Sequence, residues 1–219
     1  MKSYLETLED AIGKYLGSIV LQRIKEDQMT ALELNLQSIE ATMLFMDLRA
    51  FTQIATKTSP GKLMNELNLY LKTMSEIVIR NNGHIDSIIG DAIFAIFGIS
   101  GAHHADDACR TAIECLNAID KLNKGDRRGK LSFDLGIGIN SGTVMLGNIG
   151  SEHKLKFTAI GDMVNLASRV ENLTGKYNCH ILISEYTKGL ISEGFILREI
   201  DHISIKGMEG QVTIYSLSA

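Results

Sequence analysis

Asp47 and Asp91 are the residues on which chemistry could turn, because each carboxylate ends or interrupts an apolar run. Asp47 closes the short run 42–46, and Asp91 sits with Gly90 in a tight turn between the runs 85–89 and 92–97. Apolar runs of that length read as buried strands, so each acid is carried to a strand end. If those strands pair, two carboxylates meet. Hard cations such as Mg²⁺ and Mn²⁺ prefer that oxygen chemistry and complete their shells with phosphate oxygens. Two such cations stabilise both the attacking and the leaving oxygen in phosphoryl transfer. Taken alone, a Gly-Asp is a turn residue, and periodicity carries the pair no further. Asn165 and Arg169 stand four apart in a segment of helical character and so share one helix face, where an arginine taken alone reads as a solvated side chain. His103 and His104 lie beside Asp106 and Asp107, but neighbours at a helix start point apart, which speaks against a metal cluster there.

Positioning these side chains takes a sheet and helices. Leu5, Leu8, Ile12, Tyr15 and Ile19 keep a helical period, which predicts one lead-in helix over residues 5–24. Two heptads leave open a helix lying on its own domain or a dimeric coiled coil. Residues 27–40 are more polar and read as a boundary before the first strand. Pro60 suits the start of a helix whose apolar positions are Leu63, Leu67, Leu71, Met74 and Val78. Asn82-Gly83 marks the next turn, and the Gly90-Asp91 hairpin follows. Residues 103–122 predict another helix, with Asp106 and Asp107 favoured by the dipole in its first turn. The runs 133–139 and 144–149 read as a hairpin about Asn140-Ser141-Gly142. Asp162 reads as the N-cap of a helix that extends to Thr174 and stops at Gly175. Short strands at 181–183, 195–200, 203–205 and 212–217, with a helix near 185–191, complete the chain. This order predicts an α+β fold with a ferredoxin-like split βαβ core, its antiparallel-rich sheet carrying helices on one face.

The bulk properties set the partners. A length of 219 residues with 45% apolar and 22% charged side chains supports a folded core, in one domain with a short appendage. The balance of 22 basic against 26 acidic residues, net −4, gives no electrostatic reason to expect a nucleic acid. Cys109, Cys115 and Cys179 lack metal-ligand spacing and read as reduced thiols in a cytoplasmic protein. Neither a signal peptide nor a run of membrane-spanning length is present, although the chain also fits the cytoplasmic piece of a longer, membrane-attached protein.

Phe45-Met46-Asp47-Leu48-Arg49-Ala50-Phe51-Thr52, followed by Ile89-Gly90-Asp91-Ala92, resembles the two metal-binding segments of class III adenylate/guanylate cyclase catalytic domains. Residues 157–169, Phe-Thr-Ala-Ile-Gly-Asp-Met-Val-Asn-Leu-Ala-Ser-Arg, are similar to the family stretch that closes over purine, ribose and α-phosphate. Ile205-Lys206-Gly207 resembles its late Lys-Gly, and residues 13–17 with 20–24 look like the transducer segment that often precedes such domains. The resemblance implies a helical lead-in at 1–40, a possible dimer coiled coil, and a catalytic domain at 41–219. It implies that Asp47 and Asp91 hold two Mg²⁺ or Mn²⁺ ions, with the backbone near Leu48, Ala50, Phe51 and Thr52 meeting phosphate. From the other copy in a homodimer, Asn165 would orient the ribose, Arg169 would stabilise charge at the α-phosphorus and Lys206 would contact the outer phosphates. The implied reaction converts ATP, with GTP as the alternative, into a 3′,5′-cyclic monophosphate and pyrophosphate.

Three positions depart from the family pattern. Adenine-selective members usually carry lysine where Ser87 stands, and guanine-selective members glutamate; the partner position is Thr158, a common choice in bacterial adenylate cyclases. A hydroxyl both donates and accepts, so Ser87 discriminates purine edges less sharply. Ala50 adds a methyl where a glycine is frequent. No triphosphate arginine stands out, because Asp134 and Gly136 occupy its region. Rival readings are a diguanylate cyclase, for which the second glycine and second acid are missing, a catalytically silent dimerisation module, and an RNA-binding sheet, which the acidic balance disfavours.

Overall fold

Alternation along the first strand decides how the sheet is covered. Leu44, Met46 and Leu48 point to one side, and Met43, Phe45 and Asp47 to the other. Most of these side chains are buried, so this strand needs cover on both faces. The structure, a computed structural model, describes residues 3–27, 30–124, 131–204 and 210–218. In chain order the first elements are α1 (Tyr4–Tyr15), α2 (Ser18–Glu26), β1 (Leu36–Leu48), α3 (Phe51–Lys57), α4 (Pro60–Arg80), β2 (His84–Ile89), β3 (Ala92–Phe97) and α5 (His104–Lys124). There follow β4 (Leu135–Ser151), β5 (Lys154–Ile160), α6 (Asp162–Asn172), β6 (Ile181–Ser184), α7 (Glu185–Lys188), β7 (Ile196–Ser204) and β8 (Gln211–Ser218).

The strands form one sheet in the order β2-β3-β1-β4-β6-β8-β7, with β5 paired to the far half of β4. Among these pairs only β4 and β6 run parallel. The α+β class and split βαβ plan therefore hold. Helices α4 and α5 cover one face, packing Tyr70, Met74, Cys109 and Cys115 against Leu44, Met46 and Ile137. The expectation that helices occupy one face is corrected. On the second face Ala167 and Met163 of α6 and Ile19 and Val20 of α2 meet Met43, Phe94 and Phe157. Glycines make that cover close: a Cβ on Gly138 of β4 would stand 2.1 Å from the backbone nitrogen of Glu171.

Other boundaries move for identifiable reasons. The expected hairpin about Asn140-Ser141-Gly142 is instead the middle of the 17-residue strand β4, paired with β1 from Leu36 to Leu48 without a break. Its polar residues find partners sideways. Asn140 Nδ2 donates to the Met163 carbonyl at 2.8 Å, Ser184 Oγ donates to Asn140 Oδ1 at 2.5 Å, and Ser141 Oγ lies 2.7 Å from Thr42 Oγ1. Strand β1 likewise starts at Leu36, inside the stretch read as boundary, because β4 extends to meet it. Gly161, with φ 144°, is the N-cap of α6, and Asp162 is its first helical residue. The last helix is only four residues, and the expected strands at 195–200 and 203–205 are one strand, β7, as far as Ser204.

The lead-in is two helices rather than one. Ser3 and Glu6 close a capping box at the start of α1. The helix stops before Gly17, whose φ of 94° favours glycine. The Lys25–Glu9 ion pair, at 2.6 Å, ties α2 back to α1. Helix α1 buries no residue, and Leu5, Leu8 and Tyr15 are exposed.

Candidate active site

Strand pairing delivers Asp47 and Asp91 to one place. Asp47 sits opposite Gly136 on β4, one step from the Met46 and Ile93 pair that joins β1 to β3. Asp91 is at the β2–β3 apex, where Gly90 turns with φ 65°. The two carboxyls share a hydrogen bond, and the Leu48 backbone N–H donates to Asp47 Oδ1 at 2.9 Å. Burial, then the hydrogen bond and charge of Asp47, push the Asp91 carboxyl up to about 6. Two acids compressed in this way ask for a cation, and a pair of carboxylates is the protein share that Mg²⁺ or Mn²⁺ normally takes alongside phosphate. Among the described residues no group of three or more metal-ligating side chains forms, and His104 is occupied with Thr42 Oγ1 at 2.7 Å.

A third acid escaped the sequence reading. Glu171 of α6 lies over Gly136, where a Cβ would approach its Oε1 to 3.0 Å. Burial first, and the charge of Asp47 second, push its carboxyl up to about 7, with Arg49 opposing. The alternate glycines 136 and 138 were the available signal that a helix crosses here, but nothing local said which side chain it would lower toward Asp47. Tyr70 of α4 feels the same cluster. Its phenol is buried with no hydrogen-bond partner among the described residues, and burial, then Cys115 and the acids Asp47, Asp91 and Glu171, raise it well above its ordinary value.

The turn after Asp47 is tightly held. Leu48 is buried, Ala50 adopts the left-handed conformation at φ 55° as the N-cap of α3, Phe51 is half-buried against the main core and Thr52 is exposed. The family glycine has its reason in that backbone conformation, which costs a non-glycine residue about 1 kcal/mol. Arg49, close enough for its charge to reach Glu171, is held by the Cys179 carbonyl, to which it donates at 2.6 Å, and by Asp134 at 3.3 Å. Where a triphosphate arginine would stand, the chain thus offers an acid already paired and a glycine lying under α6.

Ser87 and Thr158 come from β2 and β5, strands joined by the Lys156–Asp86 ion pair at 2.6 Å. Ser87 is half-buried and Thr158 buried. Ser87 lines a cleft of about 610 Å³ with His84, Asp86 and the Gly17 turn, and neither Asp47 nor Asp91 is among the residues lining it. Asn165 and Arg169 are both exposed on one face of α6. Lys206 lies outside the described residues. The chain therefore assembles the acid pair, and displays Asn165 and Arg169 on the exposed side of the helix whose inner side carries Glu171.

The sequence model of the adenylate and guanylate cyclase catalytic domain matches residues 35–219, and the chain belongs to that family. An adenylate cyclase of Anabaena cylindrica is 34% identical over the whole chain, which spans 44% of that relative. The crystal structure of the adenylyl cyclase CyaB from P. aeruginosa superposes with a TM-score of 0.77 at 32% identity, covering 85% of this chain and 97% of that one. A bacterial light-regulated adenylyl cyclase shares the fold at a TM-score of 0.87 and 23% identity, over 97% of this chain and 62% of that one. Members of the family use divalent metal ions. No helix among the described residues is long and apolar enough to cross a membrane.

Proposed function

We propose that the chain, with a lead-in at 1–40 and a catalytic domain at 41–219, is an adenylate cyclase that forms cyclic AMP and pyrophosphate from ATP in the cytoplasm, at sites shared by two copies. The observation that carries this reading is the Asp47–Asp91 carboxyl pair, held by one protomer while Asn165 and Arg169 of the same protomer are exposed on α6. A ligand that needs both sets draws the second from a symmetry-related copy. Asp47 and Asp91 would hold two Mg²⁺ or Mn²⁺ ions, which supply acidity at the ribose 3′-hydroxyl and positive charge at the α-phosphate. The backbone from Leu48 to Thr52 receives phosphate where α3 begins, and Asn165 orients the ribose. The 3′-oxygen gives its proton to solvent and bonds to the α-phosphorus as the bond to the pyrophosphate oxygen breaks, so that pyrophosphate leaves. Arg169 meets the charge that gathers on the α-phosphoryl oxygens, and such a donor is worth about 3 kcal/mol. Lys206 neutralises the departing pyrophosphate.

Ser87 and Thr158 face the base in this reading, and neither carries the charge that selects guanine. Product identification tests it. Purified protein with Mn²⁺ or Mg²⁺ is expected to release cyclic AMP and pyrophosphate from ATP faster than cyclic GMP from GTP. A faster guanine reaction makes it a guanylate cyclase, and silence with both nucleotides leaves the dimerisation module as the account.

A further inference from the structure

Asp86 is the extra residue of a β-bulge. The β2–β3 register steps from Ile85 opposite Ala95 directly to Ser87 opposite Phe94, leaving Asp86 without a counterpart. Bulges re-aim side chains, and this one buries a carboxylate: the Asp86 side chain is 0% exposed. One of its oxygens, Oδ2, accepts from Ser87 Oγ at 2.9 Å and from Lys156 Nζ at 2.6 Å. The other, Oδ1, has no hydrogen-bond partner among the described residues. A buried anion with an unsatisfied oxygen and no access to solvent holds firmly to the donors it has.

We infer that Asp86 sets the purine preference by fixing the proton of Ser87 and the ammonium of Lys156. This deepens the proposed ATP reading and rests on it. A serine hydroxyl has one proton and two lone pairs. With its proton committed to Asp86, Ser87 presents only lone pairs to a base. Lys156 has three protons, one of them on Asp86, and its side chain remains 47% exposed on β5. It lies two residues from Thr158, so both project from the same side of that strand. An acceptor beside a donor complements adenine, whose 6-amino group donates and whose N1 accepts. Guanine inverts both groups, with an acceptor at O6 and a proton on N1, and would set lone pair against lone pair and proton against proton. The basic group missing at position 87 is thereby supplied from the neighbouring strand, through a buried acid. Asp86 does not touch the base in this arrangement. It is a positioning residue acting through Ser87 and Lys156.

The test is the ratio of kcat/KM for ATP to that for GTP in wild type, Asp86→Asn, Ser87→Ala and Lys156→Gln. Asp86→Asn frees the Ser87 hydroxyl to donate and releases the ammonium, so the ratio is expected to fall about tenfold, chiefly through a gain with GTP. Lys156→Gln keeps a donor beside Asp86 but removes the charge; checked for folding by its melting temperature, it is expected to lower the ratio in the same direction. Equal losses with both nucleotides in Asp86→Asn, or ratios within twofold of wild type in both Asp86→Asn and Lys156→Gln, overturn the inference while the cyclase reading stands. A wild type that prefers GTP overturns the substrate reading itself, and this inference with it.

Discussion

At the scale of single residues, a carboxyl pair that shares a proton traps a cation only after the proton leaves. Asp91 is raised to about 6 and Glu171 to about 7, burial being the first cause of each. A carboxyl raised in the folded state adds stability that is fully present below its unfolded value and is lost as pH rises through the folded one. Both acids therefore weaken the metal-free protein between about pH 4 and 7, and a bound cation reverses that loss by replacing the proton. Buried His84 and half-buried His104 are lowered, so their contribution is lost in the opposite direction, as pH falls. Comparing wild type with Asp91→Asn isolates the acid from them. Mn²⁺ is expected to raise the wild-type melting temperature clearly at pH 7.5 and little at pH 5.5, with no rise at either pH in Asp91→Asn. Equal rises in both proteins would remove Asp91 from the cation site. The same scale shows what the chain revealed unaided. Asp47 and Asp91 stood out at the ends of apolar runs and took their expected role from the family resemblance, whereas Asp86, Lys156 and Glu171 acquire meaning only from a bulge, a strand arm and a helix crossing that bring distant segments together.

At the scale of elements, the site depends on how closely α6 lies on β4. A Cβ on Gly138 would stand 2.1 Å from the Glu171 nitrogen, 2.4 Å from its Cα and 2.7 Å from the Ala167 carbonyl oxygen. These are backbone atoms, so relief requires the helix to lift. Gly138→Ala is expected to destabilise by about 1–3 kcal/mol, as overpacked cores do, and to lower activity at least tenfold because Asn165 and Arg169 move with the helix. Gly61→Ala is the control, since nothing lies within 4 Å of a Cβ there, and it is expected to be neutral or slightly stabilising. Thermal melting and initial rates on both variants decide the matter; an active, stable Gly138→Ala would mean that α6 is free to reseat. Local pattern did well for α4, where Pro60 and a steady apolar period leave little choice, and for the β2–β3 hairpin, where Gly90 supplies the turn. It failed at Asn140-Ser141-Gly142, because turn residues were matched by hydrogen bonds from β1, α6 and β6 that no short window contains.

At the scale of the whole molecule, the question is whether one chain can complete a site. The acid pair lies at the end of β1, α6 exposes Asn165 and Arg169, and Leu5, Leu8 and Tyr15 of α1 are exposed. In a two-fold dimer with shared sites, Asp47→Ala and Arg169→Ala each disable both sites of their own homodimer. A mixed dimer gathers both lesions into one site and leaves the other intact. Random exchange of equal amounts makes about half of the dimers mixed, so about a quarter of the wild-type sites return. Mixing the two inactive variants, with exchange verified by differently sized tags, is expected to restore about a quarter of wild-type activity at saturating ATP. If each protomer instead held a complete site, every subunit in the mixture would still carry a lesion and activity would stay at zero. The amplitude also separates sharing from indirect rescue: a partner that merely steadied the Asp47→Ala fold could not replace its missing carboxylate, so recovery near a quarter requires Arg169 to act across the two-fold.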